Sequence, residues 1–212
     1  MPAIDLRAFV FLDSMQRQFA AYVATTARGY LPVAGDASLF VEVAPGIAIN
    51  RVTDVALKKT NVRPAVQVVE RSFGLLEVHD SSQAEVREAG RHVLQYLERA
   101  EEDRLAPRVL TSEIITNLSD YQIMLVNRNR YGMMMLSGET LFVLEVHPAA
   151  YATIAANEAE KAAPIRLVEL RPYGAVGRLH LAGGEAEILE AESAVRRTLA
   201  GIAGRRNEGG DR

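Results

Sequence analysis

The chain has 212 residues, of which 49% are hydrophobic and 24% charged, with a net charge of −3. This composition is ordinary for a folded soluble protein, and it supplies no basic excess for binding nucleic-acid phosphates. Cysteine is absent, which excludes disulfide scaffolds, thiolate metal sites, iron–sulfur ligation and cysteine nucleophiles. No apolar run approaches the roughly 20 residues that span a bilayer, and no secretory signal opens the chain, so we expect a cytoplasmic protein that contacts neither nucleic acid nor membrane.

The first half of the chain predicts four strands and three helices. Short runs rich in β-branched and aromatic residues indicate the strands, and apolar residues at helical spacing indicate the helices. Ser82 and Glu85 have the spacing of a capping box, and Gly74 is expected to permit the turn between the last two strands. The predicted strands are 6–13, 38–44, 65–73 and 75–79, and the predicted helices are 15–27, 47–60 and one that opens at Ser82.

The second half repeats the first. Shifting the sequence by 103 positions aligns the halves without a gap, and identical residues then coincide at many positions. Self-similarity of this kind is the signature of a tandem duplication. The coinciding pairs include Gly29 with Gly132, Gly35 with Gly138, Pro45 with Pro148, Lys58 with Lys161 and Gly74 with Gly177. Strands are predicted near 109–115, 140–146, 165–171 and 178–182, followed by a helix that carries Ile188, Ala191, Val195, Leu199 and Ile202.

The halves predict two domains of the same α+β kind. A charged stretch at 98–104 precedes Ala106-Pro107 and is the natural boundary. We therefore predict a first domain at 1–104, a second at 105–205 and a polar, disordered tail at 206–212. Each domain is expected to be a small antiparallel sheet with helices packed on it. The element order lacks long strand–helix alternation, which disfavours a doubly wound sheet.

The sequence does not have the residue patterns of an enzyme. Its four histidines lack the paired helical spacing of a zinc enzyme, and surface or rim positions are expected for them. There is no nucleophile elbow, phosphate-binding loop or dinucleotide fingerprint. The run of methionines at 133–135 is expected to pack rather than to bind a soft metal. We predict no catalytic residue, no metal site and no cofactor. The four histidines are His79, His92, His147 and His180.

Two long strings carry a family resemblance. They are PGIAINRVTDVALKKTNVRPAVQVVERSFGLLEVH in the first half and PAAYATIAANEAEKAAPIRLVELRPYGAVGRL in the second. Both resemble the tandem-domain shell proteins of bacterial microcompartments, in the subtype with circularly permuted BMC domains and a large gated pore. The resemblance runs from about Leu6 to about Gly204. It implies a structural shell protein that forms a homotrimeric, pseudohexameric tile, or a dimer of such trimers, in carboxysomes or catabolic compartments.

The resemblance also implies roles for particular residues. Lys58 and Lys161 match the lysine that lies at the tile edge, where a tile meets other shell proteins, both hexamers and pentamers. The loop between adjacent strands lines the central pore, through which small-molecule metabolites pass, and the Glu-Arg pair acts as the gate. The first-half loop consists of Glu70, Arg71, Ser72, Phe73 and Gly74. The second-half loop, which lacks the pair and is expected to frame the pore, includes Tyr173, Gly174, Ala175, Val176 and Gly177.

Other functions remain as alternatives at this point. One from a different class is a trimeric small-molecule-binding sensor of duplicated α+β fold, although no long mobile loop or phosphate motif is present. An enzyme with a duplicated fold would need converging catalytic groups, which the sequence lacks. A shell protein that holds a redox cluster through cysteine is excluded, because the chain has no cysteine. The sequence does not distinguish a carboxysome from a catabolic compartment.

Overall fold

The computed structural model describes residues 4–208, which form fourteen helices and strands in two equivalent sets of seven. Short 3-10 turns at Gly46–Ala48 and Glu101–Asp103 interrupt the connections. The first set comprises β1 (Asp5–Leu12), α1 (Arg17–Thr26), β2 (Ala37–Ala44), α2 (Ile49–Lys59), β3 (Arg63–Glu70), β4 (Phe73–Asp80) and α3 (Gln83–Leu97). The second comprises β5 (Arg108–Ile115), α4 (Asp120–Arg128), β6 (Thr140–His147), α5 (Tyr151–Ala162), β7 (Arg166–Arg171), β8 (Gly177–Gly183) and α6 (Glu185–Ala200).

Each set builds one four-stranded antiparallel sheet. The strand order is β1-β2-β4-β3 in the first sheet and β5-β6-β8-β7 in the second. The register is also repeated, since Val43 pairs with Gly74 in the first sheet and Val146 with Gly177 in the second. The predicted α+β class, with two tandem antiparallel domains, is confirmed.

The two domains share a hydrophobic core because α1 lies across the junction between them. Phe19, Tyr22 and Val23 on α1 belong to the same buried cluster as Leu167 and Leu170 on β7. A fully buried side chain of this size contributes about 1.5–3 kcal/mol. A separate core lies between the first sheet and the helices α2 and α3. The first domain is therefore joined to the second through α1.

The turn between β3 and β4 differs from its prediction. The residue with a positive φ is Arg71, at 53°, whereas Gly74 is not among the residues with positive φ. Gly74 is required for another reason, since a Cβ there would lie 2.3 Å from the carbonyl oxygen of Gly46. A Cβ on Gly177 would likewise lie 2.2 Å from the carbonyl oxygen of Ala149. The prediction that Gly74 permits the turn is wrong, and its role is to allow close backbone approach.

Two helix boundaries also differ in detail. The hydroxyl of Ser82 accepts the Glu85 N–H at 3.4 Å, but the Glu85 carboxylate accepts the N–H of Asn61 instead of closing a capping box. Ile202 lies beyond the end of α6 and packs against the core from the following segment. Sequence periodicity alone could not separate a helix end from an apolar residue just after it.

The end of the described chain is held against the second domain. The side-chain amide of Asn207 donates to the carbonyl oxygens of Ala106 and His147, at 2.8 and 2.9 Å. The tail was expected to be disordered from residue 206, whereas Asn207 has fixed partners; residues 209–212 lie outside the described part of the chain. No helix within residues 4–208 has the length and apolar character needed to cross a membrane.

Candidate functional site: the paired turns and the domain junction

The predicted gate residues lie at the tip of the β3–β4 hairpin. Glu70 ends β3, Arg71 and Ser72 form the turn, and Phe73 begins β4. Glu70 and Arg71 are both exposed, and within residues 4–208 neither of them forms an ion pair. Their charges are therefore available to groups outside the subunit.

The predicted framing loop occupies the equivalent turn of the second domain, between β7 and β8. Gly174 is the counterpart of Arg71 under the 103-residue shift, and it too has a positive φ, at 97°. Glycine adopts this backbone without cost, whereas a residue with a side chain loses about 1–2 kcal/mol. Both turns thus contain a residue with a positive φ, and only in the first turn does that residue carry a side chain and store strain.

The two turns lie next to each other in the folded subunit. A Cβ built on Gly174 would lie 3.5 Å from Cγ of Glu70. A cleft of about 410 Å³ opens beside them, with Tyr22, Glu70 and Tyr173 among its lining residues. The structure therefore brings the two predicted loops together at one end of the molecule, although they are a hundred residues apart in the chain.

Phe73 anchors the first turn to a buried polar cluster at the domain junction. The guanidinium of Arg7 lies 3.5 Å from the centre of the Phe73 ring, a cation–π contact. Arg7 Nε donates to Glu42 Oε1 at 2.7 Å, and its terminal NH2 group lies 2.8 Å from Nε2 of His147. The turn is therefore connected through Arg7 to residues of both domains.

The charge states of this cluster follow from its contacts. Burial raises the pKa of Glu42, against the opposing effects of Arg7 and the Ala150 N–H that donates to the carboxylate at 2.9 Å. Burial, reinforced by the positive charge of Arg7, lowers the pKa of His147. Because arginine can only donate, Nε2 of His147 accepts and Nδ1–H donates to Oδ1 of Asn207, 2.9 Å away. His147 is therefore neutral at the domain junction, where it accepts from Arg7 and donates to Asn207.

The histidines differ from their predicted surface positions. His147 and His79 are buried, at 6% and 3% exposure, whereas His92 and His180 are partly buried. His79 Nδ1 lies 3.2 Å from the carboxylate of Glu77, which also accepts from the hydroxyl of Ser38. The expectation of surface or rim histidines is wrong for this buried pair. His147 contacts Arg7 and Asn207 from distant segments, whereas His79 contacts Glu77, two residues away on β4. In the described part of the chain, no group of three or more potential ligands is arranged to hold a metal ion.

Comparison with known proteins assigns the family. The model of the CsoS1D N-terminal domain matches residues 6–103. The carboxysome shell protein CcmP of Synechococcus elongatus is 52% identical over 206 residues, which cover 97% of each chain. The carboxysome shell protein CsoS1D of Hydrogenovibrio crunogenus is 48% identical over 92% of this chain and 96% of its own. This chain belongs to the CsoS1D/CcmP family of carboxysome shell proteins. It is therefore a structural protein of the shell and not an enzyme, and the sensor alternative is set aside.

Two solved structures support the assignment of the fold. The fused permuted hexameric shell protein MSM0275 from the RMM microcompartment superposes with a TM-score of 0.92 at 45% identity, over 95% of this chain and 99% of its own. The double ringed trimeric shell protein MSM0271 from the same microcompartment has a TM-score of 0.92 at 42% identity, over 96% and 100% of the two chains. The predicted tandem permuted BMC domains of this shell protein are confirmed.

The predicted edge lysines of this shell protein occupy matching positions at the ends of α2 and α5. Lys58 Nζ lies 2.9 Å from the carboxylate of Asp54, and Lys161 Nζ lies 3.6 Å from that of Glu158. Both lysines are exposed, so each ammonium can leave its neighbour on the same helix for a partner on another molecule. Exposed pairs of this kind contribute little to the stability of the subunit.

Sequence reasoning missed the junction cluster of the shell protein. Arg7, Glu42 and Asn207 carry no motif, and Arg7 lies 140 positions from its partner His147. One signal was present, since Arg7 and Glu42 are charged residues within largely apolar strands. A charge at such a position requires a buried partner, although the sequence does not identify that partner.

Proposed function

We propose that three copies of this shell protein form a pseudohexameric tile, with the two kinds of turn lining its central opening. The observation that supports this proposal is the contact between the turns, with Gly174 beside Glu70 in a single subunit. Two equivalent turns at one end of each subunit give six around a threefold axis. A relative of the same fold is a double ringed trimer, and we propose that two tiles of this protein stack in the same way.

We propose that Glu70 and Arg71 are the gate. Three like charges near one axis repel each other, and pairing Glu70 of one subunit with Arg71 of the next relieves that repulsion. Arg71 also has a positive φ of 53°, a backbone state that costs about 1–2 kcal/mol for a residue with a side chain. A second loop arrangement that releases this strain would offset part of the lost pairing, which makes the loop a two-state element.

The gate and the edge give the tile its two functions in the shell. A ring of Arg71 side chains raises the local concentration of anions, so we propose that the open pore passes anionic metabolites too large for narrower pores. The second turn, with uncharged Tyr173, Gly174, Ala175 and Val176 before Gly177, frames the opening. Lys58 and Lys161 contact neighbouring hexameric and pentameric shell proteins, where many weak contacts act together across the layer.

The gate proposal is tested by transport through assembled shells. The double variant E70A/R71A is compared with E190A/R197A, which removes an exposed pair from α6. We expect the gate variant alone to change the rate at which a bulky anion such as a nucleotide reaches an enclosed reporter enzyme. Equal transport rates for the gate variant, the control variant and the wild type would refute the role of these residues as a gate.

A further inference from the structure

The two hairpin turns differ in how far strand pairing extends toward their tips. In the first domain, the pairing of β3 with β4 continues to Glu70 and Phe73, which flank the two turn residues. In the second domain, the pairing of β7 with β8 ends at Arg171 and Arg178, two pairs earlier under the 103-residue shift. The first hairpin is therefore the more regular of the two at its tip.

Backbone strain alone would give the opposite order. The residue with a positive φ is Arg71 in the first turn, whereas it is Gly174 in the second. Glycine adopts this backbone freely, while a residue with a side chain is strained there. The first turn is thus paired to its tip despite its strain, so contacts outside the hairpin are the source of its order.

Phe73 makes these contacts through its backbone and through its ring. The backbone packs closely on Gly46, where an added Cβ would lie 2.8 Å from the carbonyl carbon and oxygen of Phe73. The guanidinium of Arg7 lies 3.5 Å from the centre of the ring. In the second domain Ala149 stands in the place of Gly46, and Val176, which has no ring, in the place of Phe73. The second turn therefore lacks the residue types that make both contacts.

Arg7 is a fixed partner for the Phe73 ring. It is 7% exposed, its Nε donates to Glu42 and its terminal NH2 group donates to His147. The N–H groups of a guanidinium lie in its plane, so Arg7 can donate at its edges while one flat face stacks on an aromatic ring. Glu42 and His147 belong to different domains, so the junction holds the stacking face in place when the turn moves.

We propose that Arg7 is a positioning residue of the gate, because its guanidinium holds the ring of Phe73 and thereby keeps the turn of Glu70 and Arg71 in its strained, fully paired arrangement. We call the contact of Arg7 with Phe73 the clamp. This inference rests on the proposed gate, since it names what controls the arrangement that the gate adopts. When the clamp is released, the pair of Glu70 with Phe73 opens and the strain at Arg71 is relieved.

The second domain shows a turn without a clamp. Leu110 stands in the place of Arg7 and is 36% exposed. Strand β7 ends at Arg171 and β8 begins at Gly177, so the segment between them is unpaired. Its positive φ falls on a glycine, and no strain is stored. Only the turn that carries the Glu-Arg pair is clamped, which fits one moving turn and one framing turn.

Hydrogen exchange tests the clamp, because amides at the tip of a hairpin exchange through local opening. F73L is apolar and has no aromatic face, whereas F73Y retains the face. Loss of a cation–π contact should raise the exchange of residues 69–74 about 2- to 30-fold in F73L, with F73Y near the wild type. Residues 172–177 of the second turn are the matched control within the same chain and should exchange equally in all variants.

A double-mutant cycle assigns the effect to Arg7. R7K keeps a positive charge beside the buried Glu42, but an ammonium has no flat face. We expect R7K to raise exchange at the first turn, and F73L to add little in the R7K background, because both variants remove the same contact. Circular dichroism and native mass spectrometry check that each variant keeps the fold and assembly of the wild type. Additive effects of R7K and F73L, wild-type exchange in F73L, or an equal increase in F73L and F73Y would overturn the clamp.

Transport through assembled shells separates the clamp from the gate. We expect F73L to admit a nucleotide to the enclosed reporter enzyme faster than F73Y does, because the freed turn reaches its second arrangement more often. If E70A/R71A changes nucleotide entry while F73L and F73Y enter at the same rate, Arg7 does not position the gate. If E70A/R71A leaves entry unchanged, the gate itself is refuted, and the exchange measurements decide the clamp independently.

Discussion

Glu42 and Glu145 are equivalent residues on equivalent strands, yet their environments are opposite. Glu42 is 1% exposed and pairs with the buried Arg7. Glu145 pairs with Arg178, and 30% and 52% of those two side chains remain exposed. The backbone register is the same in both sheets, so the difference comes from what covers each strand. Of these two equivalent glutamates, the buried one is the one that also receives a hydrogen bond from the other domain.

The partners of Glu42 and Arg7 come from both domains. Ala150 donates its backbone N–H to Glu42, and His147 accepts from Arg7. The second domain has Leu110 in the place of Arg7 and Ala44 stands in the first where His147 stands in the second. The polar cluster therefore exists once in each subunit, at the junction that the covalent chain holds together.

The largest expected effect comes from breaking this cluster. E42A leaves the buried guanidinium of Arg7 without its carboxylate, which typically costs about 3–5 kcal/mol. E145A leaves Arg178 half exposed to water, and we expect a loss of about 0–1 kcal/mol. Chemical denaturation of the two variants, with the wild type alongside, measures the difference. Equal losses would show that burial at the junction does not distinguish the two glutamates.

The duplication and most elements could be predicted from the sequence because they depend on local patterns. Alternating apolar residues indicate the strands, helical spacing indicates the helices, and an ungapped shift relates the two halves. The family resemblance also named the gate and edge residues, although their roles remain predictions. That the two turns lie side by side is seen only in the fold, since nothing in the sequence places Gly174 beside Glu70.

The remaining features depend on contacts between distant segments. The burial of His147 requires Arg7, 140 residues away, and no spacing rule links them. Gly74 was expected at the turn, but its constraint is the carbonyl of Gly46 across the fold. One overlooked signal was local, since α1 begins after Gln16 without a good capping residue. A helix start of this kind indicates a cap from elsewhere in the molecule, here Glu160, whose carboxylate oxygens accept the N–H groups of Gln18 and Phe19.

Gly74 and Gly177 are equivalent residues at which the two repeats should lose stability alike when alanine is substituted. A Cβ on either residue would lie 2.2–2.3 Å from a backbone carbonyl oxygen, so the strand must shift. We expect G74A and G177A each to cost about 1–3 kcal/mol. G201A is the control, since its nearest atoms are 3.5 Å away, and it should leave the denaturation midpoint nearly unchanged. A large loss in one repeat alone would indicate different backbone constraints in the two domains.

The pH dependence of stability tests the role of His147 at the junction. Its pKa is lowered in the folded state by burial, Arg7 and Arg108, and only Asn207 opposes this shift. Between that lowered pKa and the ordinary value of about 6.5, the unfolded chain binds more protons than the folded one. Stability therefore falls as pH falls below about 6.5, and it is fully retained above that pH.

H147Q is the variant that isolates this effect. Its side-chain oxygen can still accept from Arg7, but the residue does not titrate. We expect a shallower fall in melting temperature between pH 7.5 and 5.5 than in the wild type. A residual slope is expected from His180, whose pKa burial also lowers. An unchanged slope in H147Q would mean that His147 takes up its proton without leaving the folded junction.

Substitution of the edge lysines should have the smallest effect on stability. Comparing the lysines of the two repeats instead tests assembly. Removing Lys58 deletes an exposed i,i+4 pair with Asp54, worth about 0.2–0.5 kcal/mol, and K161A deletes a longer pair with Glu158. We therefore expect K58A and K161A to melt within a degree or two of the wild type, in line with such small energies.

If both lysines lie at the tile edge, electron microscopy should show that each variant loses sheets or co-assembly with hexameric shell proteins. R196A, which removes an exposed pair with Glu192 on α6, should assemble normally. Normal sheets from one lysine variant alone would mean that only one of the two repeats contributes its lysine to the edge.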